Sequence, residues 1–201
     1  MNPRIVYQAA ALALAYPDDD QRALGPRLRA VVAEQGLVGL DGVLDLWDGD
    51  PTAAQQHYID VFDLTRKRTL YLSFYADGDT RRRGETLAAF KQRYRRSGFL
   101  VDTHGELPDY LPLVLEYAAR VDPDDGAALL REHRRGLELL RLALIDRATP
   151  YAGVLEAVCG TLPGPSPRDK RAVMAMAAQG PPTERVGLEP GDPRLLPLGG
   201  P

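Results

Sequence analysis

His57, His104 and His133 are the residues of this 201-residue chain best suited to bind a metal or carry a proton. They lie far apart, and none has a second His four positions on, the spacing that places two imidazoles on one helix face. Asp102, His104 and Glu106 alternate in a predicted loop and could in principle hold a divalent ion. Without further ligands they read more simply as solvated polar residues. Cys159 is the only cysteine, so the chain has no intramolecular disulfide and no second thiol for a zinc or iron–sulfur site. Beside Val158 on an apolar helix face, it reads as core rather than nucleophile. No glycine-rich phosphate loop, nucleophile elbow or dinucleotide fingerprint is present. The residues offer no catalytic constellation, and the chain is expected not to be an enzyme or a metal protein.

Binding chemistry is better represented, at the centre of the chain. From Arg66 to Arg96 ten basic residues face three acidic ones, a net +7 in a chain of formal charge -3. Such a patch could contact phosphate, so nucleic-acid binding by the 66–96 region is the alternative to weigh, although solvated helix faces give the same pattern. Arg81 to Arg83 stand at a predicted helix start, where the dipole disfavours cations. Gly78 could supply a left-handed turn there, Asp79 or Thr80 the cap, and an arginine an ion pair across the corner. Eight of the fourteen aromatic residues fall in the same region: Tyr58, Phe62, Tyr71, Phe74, Tyr75, Phe90, Tyr94 and Phe99. Tyrosine hydroxyls need a partner or water, so some of these rings suit a groove better than a dry centre.

The run from Glu106 to Glu116, ELPDYLPLVLE, is the most informative segment. With Asp109 as N-cap, Pro112 falls at the third helical position, where its missing N–H has no intrahelical partner to lose. Leu111, Val114, Leu115 and Ala118 then form one stripe and Tyr110, Leu113 and Tyr117 another, with Glu116 and Arg120 paired between them. Two apolar sides imply a central helix, either fully packed or half exposed in a peptide-binding groove.

The elements that must hold these residues are helices throughout. Apolar residues recur three and four apart, alternating runs are missing, and only three Ile occur. Asp50–Pro51 and Asp122–Pro123 mark helix starts, and Ser166, Pro167 and Asp169 repeat the device. The spacing predicts helices at about 3–15, 19–35, 39–47, 51–62, 68–76, 80–97, 110–121, 123–147, 151–160 and 167–179. The fold class is all-α: one helical domain over 1–162, a linker and short helix over 163–180, and a Pro/Gly-rich tail over 181–201 expected to be disordered. Nothing approaches the roughly 20 apolar residues of a membrane span. The Ile5–Tyr16 run reads as a first core helix rather than a cleaved leader.

YIDVFD (58–63), LYLSFY (70–75), GDTRRRG (78–84), FKQRY (90–94) and ELPDYLPLVLE occur in that order. Together they resemble the NarJ family of nitrate reductase assembly chaperones, also called the delta subunit, among the redox-enzyme maturation chaperones. The resemblance is strong over about 58–119 and weaker over about 3–160. It implies a cytoplasmic, single-domain helical bundle that is not an enzyme, monomeric or weakly dimeric, not inserted in the membrane and not binding nucleic acid. The implied partner is the N-terminal segment of the catalytic alpha subunit of nitrate reductase. That client receives molybdenum cofactor and an iron–sulfur cluster before membrane attachment, while the chaperone holds no cofactor stably. Joined to the residue chemistry, this gives as candidate client-binding residues Tyr58, Asp60, Phe62, Tyr71, Phe74, Tyr75, Arg83, Asp109, Tyr110, Leu113, Glu116 and Tyr117. An amphipathic leader helix would lay its apolar face on the aromatic and Leu residues, with Asp60, Asp109 and Glu116 at the rim.

Overall fold

The computed structural model describes residues 2–98 and 105–178; the expectations for Phe99, Asp102, His104 and the 181–201 tail lie outside them. Among the described residues twelve α-helices follow in order, with short 3-10 turns at Val38–Leu40 and Arg66–Arg68, and there is no strand. They are α1 (Pro3–Ala13), α2 (Asp19–Ala23), α3 (Gly25–Gln35), α4 (Asp41–Asp48), α5 (Pro51–Phe62) and α6 (Leu72–Asp77). After these come α7 (Arg81–Arg96), α8 (Leu111–Glu116), α9 (Pro123–Glu132), α10 (Arg134–Asp146), α11 (Tyr151–Gly160) and α12 (Lys170–Ala178).

The helix starts follow local chemistry. Asp50 and Asp122 cap α5 and α9 as expected, accepting from Thr52 N–H (3.1 Å) and Asp125 N–H (3.0 Å), with Pro at each first position. Two predicted helices are divided and a third starts late. Leu24 separates α2 from α3, because Pro26 has no N–H to give the carbonyl of Arg22. His133 separates α9 from α10 (φ −96°, ψ 12°), and its ring lies on Phe90 at 5.0 Å. The predicted 68–76 helix begins only at Leu72, because residues 70–71 are extended and paired with 110–111 in an isolated antiparallel bridge. Across it Leu72 N–H donates to Asp109 O (3.1 Å) and Leu111 N–H to Leu70 O (2.8 Å).

α1, α8 and α11 form the centre. Ala9, Ala10 and Ala13 give α1 a small-residue face that lets its neighbours approach closely, and Leu111, Val114, Leu115 and Ala118 bury the predicted stripe of α8. The second stripe is enclosed to different degrees: Tyr117 is buried, while Tyr110 and Leu113 are half-buried against the core. After α8 the backbone widens into a π-helical turn, Tyr117–Val121. Four residues on from Ala119 stands Pro123, which cannot donate to its carbonyl, and Arg4 Nε supplies that hydrogen bond from α1 (2.9 Å). Between α11 and the turn before α4, Gly39 and Gly153 meet backbone to backbone, leaving no room for a side chain at either.

α12 is held by charge as well as by packing. Glu138 of α10 is fully buried; its carboxylate accepts from Arg141 Nε (2.7 Å) and Ser166 Oγ (2.8 Å). Arg134 donates to the carbonyls of Gly164 (2.9 Å) and Pro165 (3.0 Å), and Arg141 to that of Pro167. The linker is thus pinned to α10, and α12 begins at Lys170, with Asp169 rather than Ser166 accepting from its first turn (Ala172 N–H, 2.8 Å). Ser166 is spent on Glu138.

Candidate functional site

The end of α5, the residues joining it to α6, and the start of α7 enclose a cleft of about 430 Å³. Phe62, Tyr71, Phe74 and Leu107 supply its apolar surface, and Asp63, Arg66, Asp79 and Arg83 its charges. Leu107 is 39% exposed in it, and Leu64, next to the lining residues Asp63 and Thr65, is 71% exposed.

A buried polar chain fixes the walls. Asp109, expected as a rim acid and as the N-cap of its own helix, is instead fully enclosed. The N-cap position of α8 falls to Tyr110, and Pro112 stands second in the helix rather than third. Because residues 109–111 pair with 70–72, the Asp109 carboxylate faces the start of α6. There its Oδ2 accepts from Ser73 N–H (3.0 Å) and Ser73 Oγ–H (2.6 Å), capping a helix from across the bridge. Ser73 Oγ in turn accepts from Arg83 Nε (3.0 Å), which holds the guanidinium 6.0 Å above the Tyr71 ring. Replacing Asp109 by Ala leaves two donors of Ser73 without their acceptor. The expected cost in urea unfolding is about 2–3 kcal/mol, with Asp109→Asn losing less because its amide oxygen still accepts.

The arginine corner serves this cleft. Gly78 takes the positive φ (58°), and Asp79 pairs with Arg66 and, at 3.7 Å, with Arg83. Thr80 occupies the N-cap position without a side-chain cap bond; its hydroxyl donates to Asp77 O (2.8 Å). On the opposite side the Tyr71 hydroxyl donates to Glu106 (2.6 Å), and burial followed by that carboxylate pushes the phenol far above its ordinary value. Asp63 makes no ion pair among the described residues. Burial, and then the negative charge of Glu106, raise its carboxyl above the usual range. The cleft therefore offers aromatic surface beside two carboxylates that repel one another.

Of the twelve candidates, Phe62, Tyr71, Phe74 and Arg83 converge on this cleft. Tyr110 stands behind Tyr71, ring to ring at 5.6 Å, and shares a hydroxyl contact with Tyr58 (3.2 Å). Tyr58 is core, its hydroxyl donating to Leu14 O (3.1 Å), and Tyr117 is core, donating to Asp125 (3.0 Å). Tyr75, a candidate for the groove, is half-buried against Gly136 instead and donates to Thr69 O (2.9 Å). Asp60 accepts from Gln56 (2.9 Å) and Glu116 from Arg120 (2.7 Å), so neither rim acid stands at the cleft; Leu113 packs elsewhere in the core. Asp63, Arg66, Asp79, Glu106 and Leu107 were not among the candidates. Asp63 closes the YIDVFD run, Arg66 opens the basic stretch, Asp79 belongs to the Gly78 corner, and Glu106 and Leu107 begin the ELPDYLPLVLE run, so all five lie in segments that the sequence singles out.

The other reactive groups are structural. His57 shares a 2.8 Å hydrogen bond with Thr149 and stacks on Tyr151; burial lowers its pKa and that of His133, favouring neutral rings. Cys159 is buried and its thiol is pushed far up, which keeps it protonated. No group of three or more His, Cys, Asp or Glu suited to a metal occurs among the described residues, and no helix there is long and apolar enough to cross a membrane.

Residues 27–157 match the family described as nitrate reductase delta subunit. The nitrate reductase-like protein NarX of Mycobacterium tuberculosis is 41% identical over 166 residues, 78% of this chain, which spans only 24% of that protein. NarJ of Escherichia coli, a nitrate reductase molybdenum cofactor assembly chaperone, is 31% identical over 147 residues, covering 73% of this chain and 56% of NarJ. The fold is similar to that of a solved structure described as a redox enzyme maturation protein from Archaeoglobus fulgidus, with a TM-score of 0.61 at 19% identity, covering 80% of this chain and 94% of that one.

Proposed function

The chain belongs to the nitrate reductase delta subunit family, and from that premise we propose that it is an assembly chaperone whose cleft between α5, α6 and α7 receives the N-terminal segment of the nitrate reductase alpha subunit. The observation that carries the reading is the aromatic surface of Tyr71 and Phe74, over the buried ring of Phe62, beside Asp63 and the Glu106 carboxylate bonded to Tyr71. An amphipathic leader helix meets the first with apolar side chains and the second with a lysine or arginine. Arg83, held in place by Ser73, supplies fixed donors for a carbonyl or carboxylate of the same segment. The chaperone acts before membrane attachment, in the cytoplasm, while molybdenum cofactor and an iron–sulfur cluster enter the client. Its own residues bind a peptide and perform no covalent step.

Calorimetry with a synthetic peptide of the alpha-subunit N-terminus tests the reading. Tyr71→Ala should weaken binding about tenfold, a value typical of an aromatic anchor, with little change in melting temperature. Asp63→Asn separates binding from stability by sign. Because the carboxyl of Asp63 is raised in the folded protein, folding favours its neutral form, and that preference is lost as pH rises through the raised value. The Asn variant should therefore melt no lower than the parent at neutral pH, yet bind less tightly. For the parent protein, a leader cation favours ionised Asp63, so affinity should rise with pH through the acid range and then level off. Unchanged affinity in both variants, with a flat pH profile, would remove the leader from this cleft.

Nucleic-acid binding is the weaker reading because much of the central positive charge is already committed. Five of the ten basic residues between 66 and 96 are engaged: Arg66 with Asp79, Arg82 with Asp77, Arg83 with Asp79, Arg93 with Asp125 and Glu132, and Arg68 with the carbonyls of Val61 and Asp60.

A further inference from the structure

A second depression lies away from the cleft, between α1 and α3. It measures about 610 Å³, larger than the cleft, and its lining is mainly apolar. Its two walls repeat at helical spacing: Ile5, Gln8 and Leu12 along α1, and Leu28 and Val31 along α3, with Leu24 at the junction before it. Ala119 of the π-helical turn closes the floor. Two neighbouring helices whose facing rows are mainly apolar, with Gln8 as the one polar member, form the kind of groove that accepts a third helix by ridge-into-groove packing.

The rim fixes the chemistry of that third helix. Arg4, Arg27 and Arg120 stand around the groove against the single acid Glu34. Arg4 spends its Nε on Ala119 O and Arg120 pairs with Glu116, whereas Arg27 is exposed and makes no ion pair among the described residues. The Gln8 amide oxygen is enclosed there without a donor, so turning it toward an incoming hydroxyl or amide sacrifices no hydrogen bond. We propose that the α1–α3 groove is a docking surface for an amphipathic helix of a partner protein, apolar on one face and carrying Asp or Glu on its flanks. Its charge preference is the reverse of the Asp63–Glu106 side of the cleft, so the two surfaces select different segments. This inference stands whether or not the cleft binds a leader.

The probe is a fluorescein-labelled synthetic helix of about four turns, or roughly 14 residues. It has Leu at helical spacing and Glu on both flanks, and is compared with a matched peptide carrying Lys for Glu. Anisotropy at low salt should show saturable binding of the Glu peptide only, and hydrogen exchange should gain protection over 5–12 and 24–31. Arg27→Glu reverses an exposed charge without touching the core, and should weaken binding about fivefold or more. Equal binding of the two peptides, protection confined to α5–α7, an affinity unchanged by Arg27→Glu, or self-association that covers the groove without peptide would each overturn the proposal.

Discussion

Replacing Glu138 by Ala should cost about 3–5 kcal/mol of folding free energy, because it leaves a nearly buried guanidinium without its counter-charge. Arg141 is 7% exposed and Glu138 fully enclosed, so solvent screens neither partner. The same carboxylate accepts from Ser166, and its removal frees the linker as well as the helix beyond it. Urea unfolding should show the loss, and proteolysis should cut first between 161 and 169. Glu138→Gln, which keeps an acceptor but no charge, should fall between Ala and the parent. A loss below about 1 kcal/mol for the Ala variant would mean that the linker contributes little to the fold.

Gly153→Ala should be nearly as damaging for a steric reason. An added Cβ would lie 2.1 Å from the carbonyl oxygen of Gly39, and backbone on both sides leaves nothing flexible to yield. Overpacking of this kind costs about 3 kcal/mol, which for a chain of this size lowers the melting temperature by about 6–12 °C. Gly84→Ala is the matched control: it lies in α7 with nothing near its Cβ position, and should gain about 0.5–1 kcal/mol from helix propensity. If the two variants melt alike, the close contact between α11 and the turn before α4 is not maintained in solution.

The features legible in the sequence are those whose causes are local. The Asp–Pro caps of α5 and α9, the Glu116–Arg120 pair and the buried stripe of α8 each depend on residues within two turns of one another, and each stands where its spacing put it. The all-helical class follows for the same reason. What escaped was set by partners distant in the chain. Asp109 has the type and position of a helix cap, but the bridge at Tyr71 turns it toward Ser73, 36 residues away, and no spacing rule connects the two. At the division between α9 and α10, the His133 ring packs on Phe90, which belongs to another helix. The aromatic cluster marked the right region without separating Tyr71 and Phe74, which line the cleft, from Tyr58 and Tyr117, whose hydroxyls find partners inside the core.

The pairing of 70–72 with 109–111 also joins the two ends of a long excursion of the chain. Closing a loop of that length carries an entropic cost that rises only slowly with its size, so the few hydrogen bonds at the neck, with the buried rings of Phe90 and Tyr94, suffice to hold it closed. Opening the excursion also breaks the contacts of Tyr75 with Gly136 and of Phe90 with His133, so α6 and α7 share their anchors on α10 as well as the neck and open as one cooperative unit. Tyr71, Phe74, Asp79 and Arg83 all belong to that excursion, while Phe62 and Asp63 remain outside it. An occupant of the cleft therefore bridges the excursion to the rest of the bundle, and should slow amide exchange along all of α7, well beyond the residues it touches.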